Sequence, residues 1–311
     1  MPIEALGSDI GFRTEPLLYP DMGVHAAGDP APKPEIVIPE AFRFFIPEYE
    51  SGRLLTDKVT LITGVGRKNG IGKAIATEFG GQGARLLLTA TESSAKEGEA
   101  LAKELRGSGV EAHWMAARLN EAGQPERLIE EAVNKFGRLD IVVANHGIRI
   151  DAGVMDLSVE DFEKVMAVNF YGTLRLAKAA LLVMSSQTPK GGVFQATTSI
   201  SKDGYMGQGP YSSSKAAEHG LLGVIAQEGR FMKIRANEVA PGLVEGTGVT
   251  SDLTPKQIGR ILKDAGMPES VTQNDVAMAH LYFAAETTGK LTGQSMDVLY
   301  RGQVKPLPVT A

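Results

Sequence analysis

From Lys58 onward, short apolar runs alternate with longer segments whose apolar residues recur at helical spacing. The runs have the length of strands and are bounded by Gly, Asn or Asp. We predict strands at Val59–Thr63, Arg85–Ala90, Ala112–Ala117, Ile141–Asn145, Gly192–Thr197, Ile234–Val239 and Ser295–Leu299, and helices near 71–81, 95–107, 124–136, 158–185, 211–230 and 272–286. Strands that connect through helices form parallel sheets. The pattern therefore predicts an α/β fold, a single doubly wound parallel sheet of about seven strands with helices on both faces.

The first 55 residues follow a different pattern. Eight of the 16 prolines stand before residue 56, at positions 2, 16, 20, 30, 32, 34, 39 and 47. Proline removes a backbone donor and restricts the residue before it, so no regular helix or central strand is expected there. We predict a proline-rich arm over residues 1–55, the sheet domain over 56–303 and a short tail over 304–311. Apolar residues such as Phe42, Phe44, Phe45 and Tyr49 predict that the arm packs on the sheet domain or on a neighbouring subunit.

Composition narrows the classes of function. Hydrophobic residues make up 43% of the chain, which is enough for a sizeable core, and the net charge of -5 gives no basic surface for nucleic acid or an anionic membrane. The chain has no cysteine, and its five histidines do not stand at metal-ligand spacing, so no metal site is expected. It also lacks a transmembrane run and the basic start of a signal peptide. We therefore expect a cytoplasmic protein with a small-molecule partner.

A glycine-rich segment follows the first predicted strand and leads into a predicted helix. Such a turn binds pyrophosphate because the missing side chains let the anion reach free backbone N–H groups at the helix N-terminus. A chain with 36 glycines contains such turns by chance, but the strand before it and the helix after it make this one more specific. The candidate cofactor contacts in this turn are Gly64, Gly66, Arg67, Lys68, Asn69, Gly70, Ile71 and Gly72.

A tyrosine and a lysine stand one turn apart in the helix predicted near 211–230. Reduction of a carbonyl by hydride requires a proton for the developing alkoxide, and a phenol supplies it when its pKa falls toward neutrality. Lys215 lies on the same helix face as Tyr211, and its ammonium favours the phenolate. A Tyr-x-x-x-Lys pair by itself is more often an ordinary surface pair. With the glycine turn in the same chain, Tyr211 and Lys215 become a candidate acid/base pair.

Together these motifs resemble the classical short-chain dehydrogenases/reductases. The resemblance covers about residues 57–302 and is carried by Thr63-Gly64, Gly70-Ile71-Gly72, Ala144-Asn145-His146-Gly147, Asn169, Tyr211, Lys215 and Pro241-Gly242. Within that family, segments 83–91 and 291–294 are most similar to 3-ketoacyl-carrier-protein reductases. The resemblance implies a single Rossmann domain, a nicotinamide cofactor and a homo-tetramer or homo-dimer.

The resemblance also implies roles for individual residues. Lys215 would hold the nicotinamide ribose, and Asn169 would anchor a water that relays protons to it. A hydroxyl 13 residues before the tyrosine would orient the carbonyl, and this spacing favours Thr198. Residue type favours Ser199, which stays the alternative. Further cofactor contacts are implied at Asn145, Gly147, Pro241, Gly242 and Val244.

The end of the second predicted strand indicates which nicotinamide cofactor is used. Enzymes that prefer NAD normally place a carboxylate there for the ribose 2′-hydroxyl, whereas this chain has Ala90 and Thr91. Arg67 and Lys68 in the glycine turn are cations that suit a 2′-phosphate. The pattern favours NADP(H). NAD(H) stays an alternative because a shift of register by two residues would bring Glu92 to the ribose.

The segment after Gly242 is expected to contact the substrate. It is a candidate apolar lid or, alternatively, ordinary helix core, and it contains Leu243, Val244, Val249, Leu253, Ile258, Ile261, Leu262 and Met267. With His146, Tyr205 and Met206 expected beside the site, we predict an NADPH-dependent ketoreductase, or the reverse alcohol dehydrogenase, for a hydrophobic or aromatic carbonyl compound. Two alternatives are an enoyl reductase and a retired reductase that binds nucleotide as a scaffold. Thr198, Arg118 and the long arm favour the scaffold, whereas the intact Tyr211 and Lys215 argue against it.

Overall fold

The computed structural model describes residues 53–248, 250–251 and 253–299. In that part of the chain the strands are β1 Val59–Thr63, β2 Arg85–Ala90, β3 Ala112–Ala116, β4 Ile141–Ala144, β5 Gly192–Thr197, β6 Ile234–Pro241 and β7 Ser295–Val298. The α-helices are α1 Ile71–Gly81, α2 Ala95–Gly107, α3 Gln124–Phe136, α4 Val159–Met166, α5 Gly172–Ser186, α6 Gly209–Gly229, α7 Pro255–Asp264 and α8 Gln273–Ala284. The predicted arm up to residue 52, the tail and Val249 lie outside the described residues.

The strands form one sheet in the order β3-β2-β1-β4-β5-β6-β7, and every neighbouring pair is parallel. This confirms the predicted doubly wound α/β fold. Strands β1 to β3 are added toward one edge of the sheet, and β4 to β7 are added toward the other. The direction of strand addition therefore reverses between the neighbouring strands β1 and β4. A crevice opens at the carboxyl ends of the strands at such a reversal.

Alternating residues of the central strands face two helical layers. Leu61, Leu87 and Val142 share one apolar cluster with residues of α3, α5 and α6. Their neighbours Ile62 and Val143 share another with α1, α2 and α8. Because both faces are covered, these strands contain continuous apolar runs. Leu55 is also buried and belongs to the second of these clusters.

The helix predicted at 158–185 is interrupted. The π-helical turn Ala167–Tyr171 separates α4 from α5 and carries the buried Asn169. The Asn169 side chain donates to Ile148 O and accepts from Ile148 N, at 3.0 and 2.9 Å. These contacts to a distant loop fix the turn, and a one-residue widening of this kind commonly occurs at functional sites.

The apolar segment after Gly242 divides into two parts. Leu243, Val244 and Met267 are buried, whereas α7 contains no buried residue and lies at the surface. A complete capping box formed by Thr254 and Gln257 begins α7. Leu262 of α7 nevertheless packs against the apolar cluster of β6 and α8, so the lid and core alternatives both stay open for this helix. None of the described helices is long and apolar enough to cross a bilayer.

Candidate active site

The glycine turn between β1 and α1 requires bare backbone. Gly64 has a φ of +71°, and a Cβ there would lie 2.7 Å from the carbonyl oxygen of Asn145. A Cβ on Gly72 would lie 2.6 Å from Gly64 O. Gly70 is the N-cap of α1 and provides no side-chain cap, and the first turn of α1 carries no acid. A cradle without side chains at the positive end of a helix fits a pyrophosphate group.

The ends of β1 and β4 are held together beside this turn. The Thr63 hydroxyl accepts from the backbone N–H groups of Asn145 and His146, at 2.9 and 3.1 Å. The Asn145 amide donates back to Thr63 O at 3.2 Å and to Gly64 O at 3.4 Å. Asn145 therefore fixes the path of the glycine turn in addition to its predicted cofactor contact.

A cavity of about 790 Å³ lies at the carboxyl ends of the central strands. Its lining includes these predicted site residues: Gly64, Gly66, Arg67, Gly70, Ile71, Ala90, Thr91, Asn145, Gly147, Thr198, Ser199, Tyr211, Lys215, Pro241, Gly242 and Val244. Lys68, Asn69, Gly72 and Asn169 are predicted site residues that do not line it. Lys68 and Asn69 point to solvent, while Gly72 and Asn169 support the cavity from behind.

Tyr211 and Lys215 occupy the first turns of α6 and are both buried. The Lys215 ammonium lies 5.8 Å from the centroid of the Tyr211 ring and donates to Thr197 O at 2.8 Å. It also donates to a carboxylate oxygen of Glu218 at 2.8 Å. Burial lowers the pKa of Lys215, but Glu218 and Tyr211 outweigh burial and raise it above its ordinary value. The lysine beside the phenol is therefore held in its charged form.

Asn169 is tied to the same helix through Ser214. Its amide donates to the Ser214 hydroxyl at 2.9 Å, and this hydroxyl donates to Tyr211 O at 2.7 Å. A Cβ on Gly147 would lie 3.4 Å from the Asn169 side-chain oxygen and 3.8 Å from the Lys215 ammonium. Asn169 thus fixes the loop after β4 against the start of α6. Its predicted role as a water anchor stays a prediction.

Both candidate hydroxyls follow β5 at the cavity wall. The Thr198 hydroxyl donates to Val239 O over 3.4 Å. The Ser199 hydroxyl accepts from Ser201 N at 3.1 Å and keeps its own proton for another acceptor. The alternatives Thr198 and Ser199 both stay open on this geometry.

Two histidines near the site are held neutral. Burial and the nearby charge of Lys215 lower the pKa of His146 to about 3, and burial lowers that of His280 to about 3. His146 lines the cavity, as expected of a pocket-wall residue. His280 connects the hydroxyl of Thr197 at 2.9 Å with the amide oxygen of Gln195 at 2.7 Å. Among the described residues, no group of three acidic or histidine side chains is placed to hold a metal ion.

At the end of the cavity beside β2, where the cofactor is predicted to bind, Arg67 lies over Gly248, and a Cβ on Gly248 would be 2.9 Å from the Arg67 Nε. Glu92 pairs with Arg118 at 3.1 Å, so its carboxylate is directed to the arginine. Ser93 and Ser94 also line the cavity after β2, and the Ser93 hydroxyl lies 2.9 Å from that of Thr91. Sequence reasoning missed these serines, although their position after the second strand is a readable signal.

At the other end, Tyr205 and Ile261 line the cavity, and the Tyr205 hydroxyl lies 3.5 Å from a carboxylate oxygen of Asp264. Met206 does not line the cavity and is 74% exposed, so the expectation that it flanks the site is wrong. The side chains of consecutive loop residues diverge, and here only the tyrosine faces inward.

Glu218 is the main feature of the site that sequence reasoning missed. It is fully buried behind Lys215 and accepts from the Thr173 hydroxyl at 2.9 Å. An acid in a helix is ordinarily exposed, and that expectation concealed it. Its position three residues after Lys215 and seven after Tyr211, on the same helix face, is the signal that could have identified it.

Comparisons with known proteins show similarity over most of the chain. Residues 58–258 match the family model described as short chain dehydrogenase. The chain is 30% identical to the 3-oxoacyl-[acyl-carrier-protein] reductase of Thermotoga maritima over 78% of its own length and 97% of the relative. It is 30% identical to the human (3R)-3-hydroxyacyl-CoA dehydrogenase over 78% and 95%. A crystal structure of a dehydrogenase/reductase from Sinorhizobium meliloti superposes with a TM-score of 0.72 and 27% identity, covering 79% of this chain and 95% of that one.

Proposed function

The chain belongs to the short chain dehydrogenase family, and from this premise we propose that it is an NADP(H)-dependent ketoreductase. It would interconvert a carbonyl group and a secondary alcohol on a hydrophobic or aromatic small molecule. The observation that carries the proposal is the position of Tyr211 and Lys215 on the wall of the cavity that also contains the glycine turn. The proposed proton donor Tyr211 and the glycine turn proposed to hold the cofactor thus face the same cavity.

The bound nicotinamide supplies the hydride. Tyr211 donates the proton to the carbonyl oxygen, or removes it from the alcohol in the reverse direction. The Lys215 ammonium stabilises the phenolate that remains, and the hydroxyl of Thr198 or Ser199 orients the carbonyl. Asn169 holds the loop after β4 in place behind this group.

Three features support NADP(H) over NAD(H). No carboxylate occupies the end of β2, and Glu92 is engaged by Arg118. The hydroxyls of Thr91, Ser93 and Ser94 and the cations Arg67 and Arg118 line this end of the cavity, and such groups suit a 2′-phosphate. The hydroxyl and cationic donors at this end of the cavity therefore support a preference for NADP(H).

The proposed substrate class follows from the opposite end of the cavity. Ile148, Ile200, Leu243 and Ile261 line it together with the aromatic ring of Tyr205, which favours an apolar or aromatic compound. The relatives are named for 3-oxoacyl and 3-hydroxyacyl compounds, so an acyl chain bearing a β-keto group belongs to this class.

The decisive test follows the oxidation of NADPH with β-ketoesters, acetoacetyl-CoA, cyclic ketones and quinones. Tyr211→Phe should lower kcat at least 100-fold on any compound that the protein reduces. Tyr282→Phe, which removes an exposed hydroxyl on α8, is the matched control and should leave kcat unchanged. Turnover that survives in Tyr211→Phe would refute the proposed acid, and cofactor binding without turnover of any compound would favour the scaffold.

Cofactor preference is tested by fluorescence titration with NADPH and NADH. The wild-type protein should bind NADPH at least tenfold more tightly, and Arg67→Ala should narrow that difference. Arg127→Ala, on the exposed side of α3, should leave the ratio of the two affinities unchanged. A wild-type protein that prefers NADH would refute the argument from Ala90 and Thr91.

We also propose that the protein is a homo-oligomer, a tetramer or a dimer, to which the arm contributes. Large apolar side chains are exposed on α5 and α6, namely Leu182 at 72% and Val224 at 51%. Light scattering of the full chain should report more than one subunit. Removal of residues 1–50 should reduce the particle mass or the stability; if both stay unchanged, the arm is a passive tail.

A further inference from the structure

The Glu218 carboxylate lies directly behind the ammonium of Lys215. Only 1% of the glutamate is exposed, and both of its oxygens are engaged. One accepts from Lys215 Nζ at 2.8 Å and the other from the Thr173 hydroxyl at 2.9 Å. Thr173 belongs to α5, so the carboxylate is held between two helices rather than by α6 alone.

This contact fixes the direction of the lysine. An ammonium group has three N–H donors. Two of them bind Thr197 O and the Glu218 carboxylate, both at 2.8 Å. The third donor therefore has a set direction, and the amine cannot rotate without breaking a buried hydrogen bond.

The contact also supplies the counter-charge. Lys215 is 3% exposed, and a buried ammonium without a partner tends to lose its proton. Burial lowers the pKa of Lys215, and the nearby charges of Glu218 and Tyr211 outweigh it. Burial also raises the pKa of Glu218 above its ordinary value, since the opposing contributions of Lys215 and Thr173 are smaller, and the carboxylate therefore depends on the lysine to stay charged.

The other charged groups around this pair are engaged elsewhere. Glu238 on β6 is buried and accepts from His219 Nδ1 at 2.8 Å, with Lys202 at 3.9 Å. His146, which faces Lys215 from the loop after β4, has a pKa of about 3 and stays neutral in the working range. Glu218 is therefore the acid that contacts the lysine, while Glu238 acts on it from a greater distance.

We propose that Glu218 is a positioning residue for the proposed reaction, holding the Lys215 ammonium beside Tyr211 and setting the pH range in which the tyrosine exchanges its proton. The inference rests on the proposed function, because it concerns the same acid/base pair. A negative charge at Glu218 disfavours loss of protons from both neighbours. Removal of this charge should therefore move the pH range in which Tyr211 exchanges its proton to lower pH.

The test compares Glu218→Gln with Glu238→Gln, a buried acid of the same type that does not contact the lysine. Ionisation of Tyr211 is followed by tyrosinate absorbance near 295 nm as the difference between each protein and its Tyr211→Phe form. Glu218→Gln should lower the midpoint by about one pH unit. The pH profile of kcat/KM, measured with a ketone that the protein reduces, should shift in the same direction on both of its limbs. Glu238→Gln should cause a smaller shift.

Glu218→Asp keeps the charge but shortens the side chain. It should restore the midpoint to within about 0.3 pH units, but its kcat should lie below that of the wild-type protein, because the shorter carboxylate no longer reaches the ammonium. Equal shifts in Glu218→Gln and Glu238→Gln, or no shift in Glu218→Gln, would overturn the inference. If no carbonyl compound is reduced while the Tyr211 midpoint still shifts, the proposed function fails and the role of Glu218 remains.

Discussion

The two halves of the cavity are built by opposite means. Around β1, β2 and β4 the sheet core is mostly apolar, with a few buried threonines, and the turn proposed to hold the cofactor consists of backbone at Gly64, Gly70 and Gly72. Around β5, α6 and β6 the interior contains many buried polar side chains: Gln195, Thr197, Ser214, Lys215, Glu218, Asn237 and Glu238. The first half thus offers a ligand bare backbone, whereas the second offers it buried polar and charged side chains.

The difference determines which substitutions each half tolerates. In the glycine half, an added carbon atom collides with backbone that cannot move. In the polar half, size matters less than charge, because every buried donor or acceptor that loses its partner pays the cost of desolvation. The largest effects are expected where a charge is removed and the smallest where a pair is exposed.

The largest effect is expected for Lys215→Met, which leaves Glu218 buried without its counter-ion. Loss of one partner of a buried pair costs about 3–5 kcal/mol of unfolding free energy, and turnover should disappear with it. The double variant Lys215→Met/Glu218→Met should recover much of that stability but none of the activity. Denaturant unfolding of both variants is the measurement, and a double variant no more stable than the single one would contradict the pairing.

Gly72→Ala tests the other half. Its Cβ would lie 2.6 Å from Gly64 O, so the turn must shift. We expect a loss of about 1–3 kcal/mol of stability and a fall in NADPH affinity of at least tenfold by fluorescence titration. Gly81→Ala lies on the same helix with nothing within 4 Å of its added carbon and is the matched control. Unchanged NADPH affinity in Gly72→Ala would show that the turn does not hold the cofactor.

The buried histidine of the polar half predicts a pH dependence of stability. Folding lowers the pKa of His280 to about 3 from about 6.5 in the unfolded chain. Above pH 6.5 His280 is unprotonated in both the folded and the unfolded state, so it does not lower the unfolding free energy. Between about pH 6.5 and 3 only the unfolded chain binds it, so the unfolding free energy falls by up to about 1.4 kcal/mol per pH unit.

His280→Gln should reduce the slope of the unfolding free energy against pH by up to about 1.4 kcal/mol per pH unit, which corresponds to one proton. Urea unfolding at a series of pH values is the measurement. An unchanged slope in His280→Gln would show that His280 is already protonated in the folded protein.

The smallest effect is expected for the exposed pair at the cofactor end. Arg118→Ala removes the partner of Glu92 at the surface, and such pairs contribute about 0–1 kcal/mol to stability. The affinity for NADPH should nevertheless fall about three- to tenfold, with little change for NADH, if Arg118 faces the 2′-phosphate. Equal losses for both cofactors would place Arg118 at the adenine or ribose instead.

The sequence predicted the sheet well because its signals are local. The buried strand β1 is a short run of apolar and threonine residues, and the glycine turn follows it directly, so position and chemistry are visible in one window. Tyr211 and Lys215 were visible for the same reason, since helical spacing places both on one face. The break at Asn169 was not visible, because the π-helical turn is fixed by hydrogen bonds to Ile148, 21 residues away.

The surroundings of the candidate pair were less predictable than the pair itself. Expectations from residue type failed in opposite directions at Glu218 and Met206. The acid, expected to be exposed, is buried, and the apolar methionine, expected beside the site, is exposed. Residue type gives only an average tendency to be buried, and the position of each side chain overrides it. The orientation depends on which neighbouring elements pack there.

By itself, the sequence determined the order of the strands, the bare glycine turn, the Tyr-x-x-x-Lys spacing and the absence of an acid at the end of β2. These are properties of residues close together in the chain. The sequence determined the order of the helices only in part, since α7 and the division between α4 and α5 were not predicted. The tertiary structure alone decided that Glu218 supports Lys215. Its partner Thr173 stands 45 residues away on another helix, and both become buried only when α5 packs on α6. The spacing of Glu218 from Lys215 is a local signal, but the burial that strengthens the interaction between the two groups depends on this packing and is not encoded in the spacing.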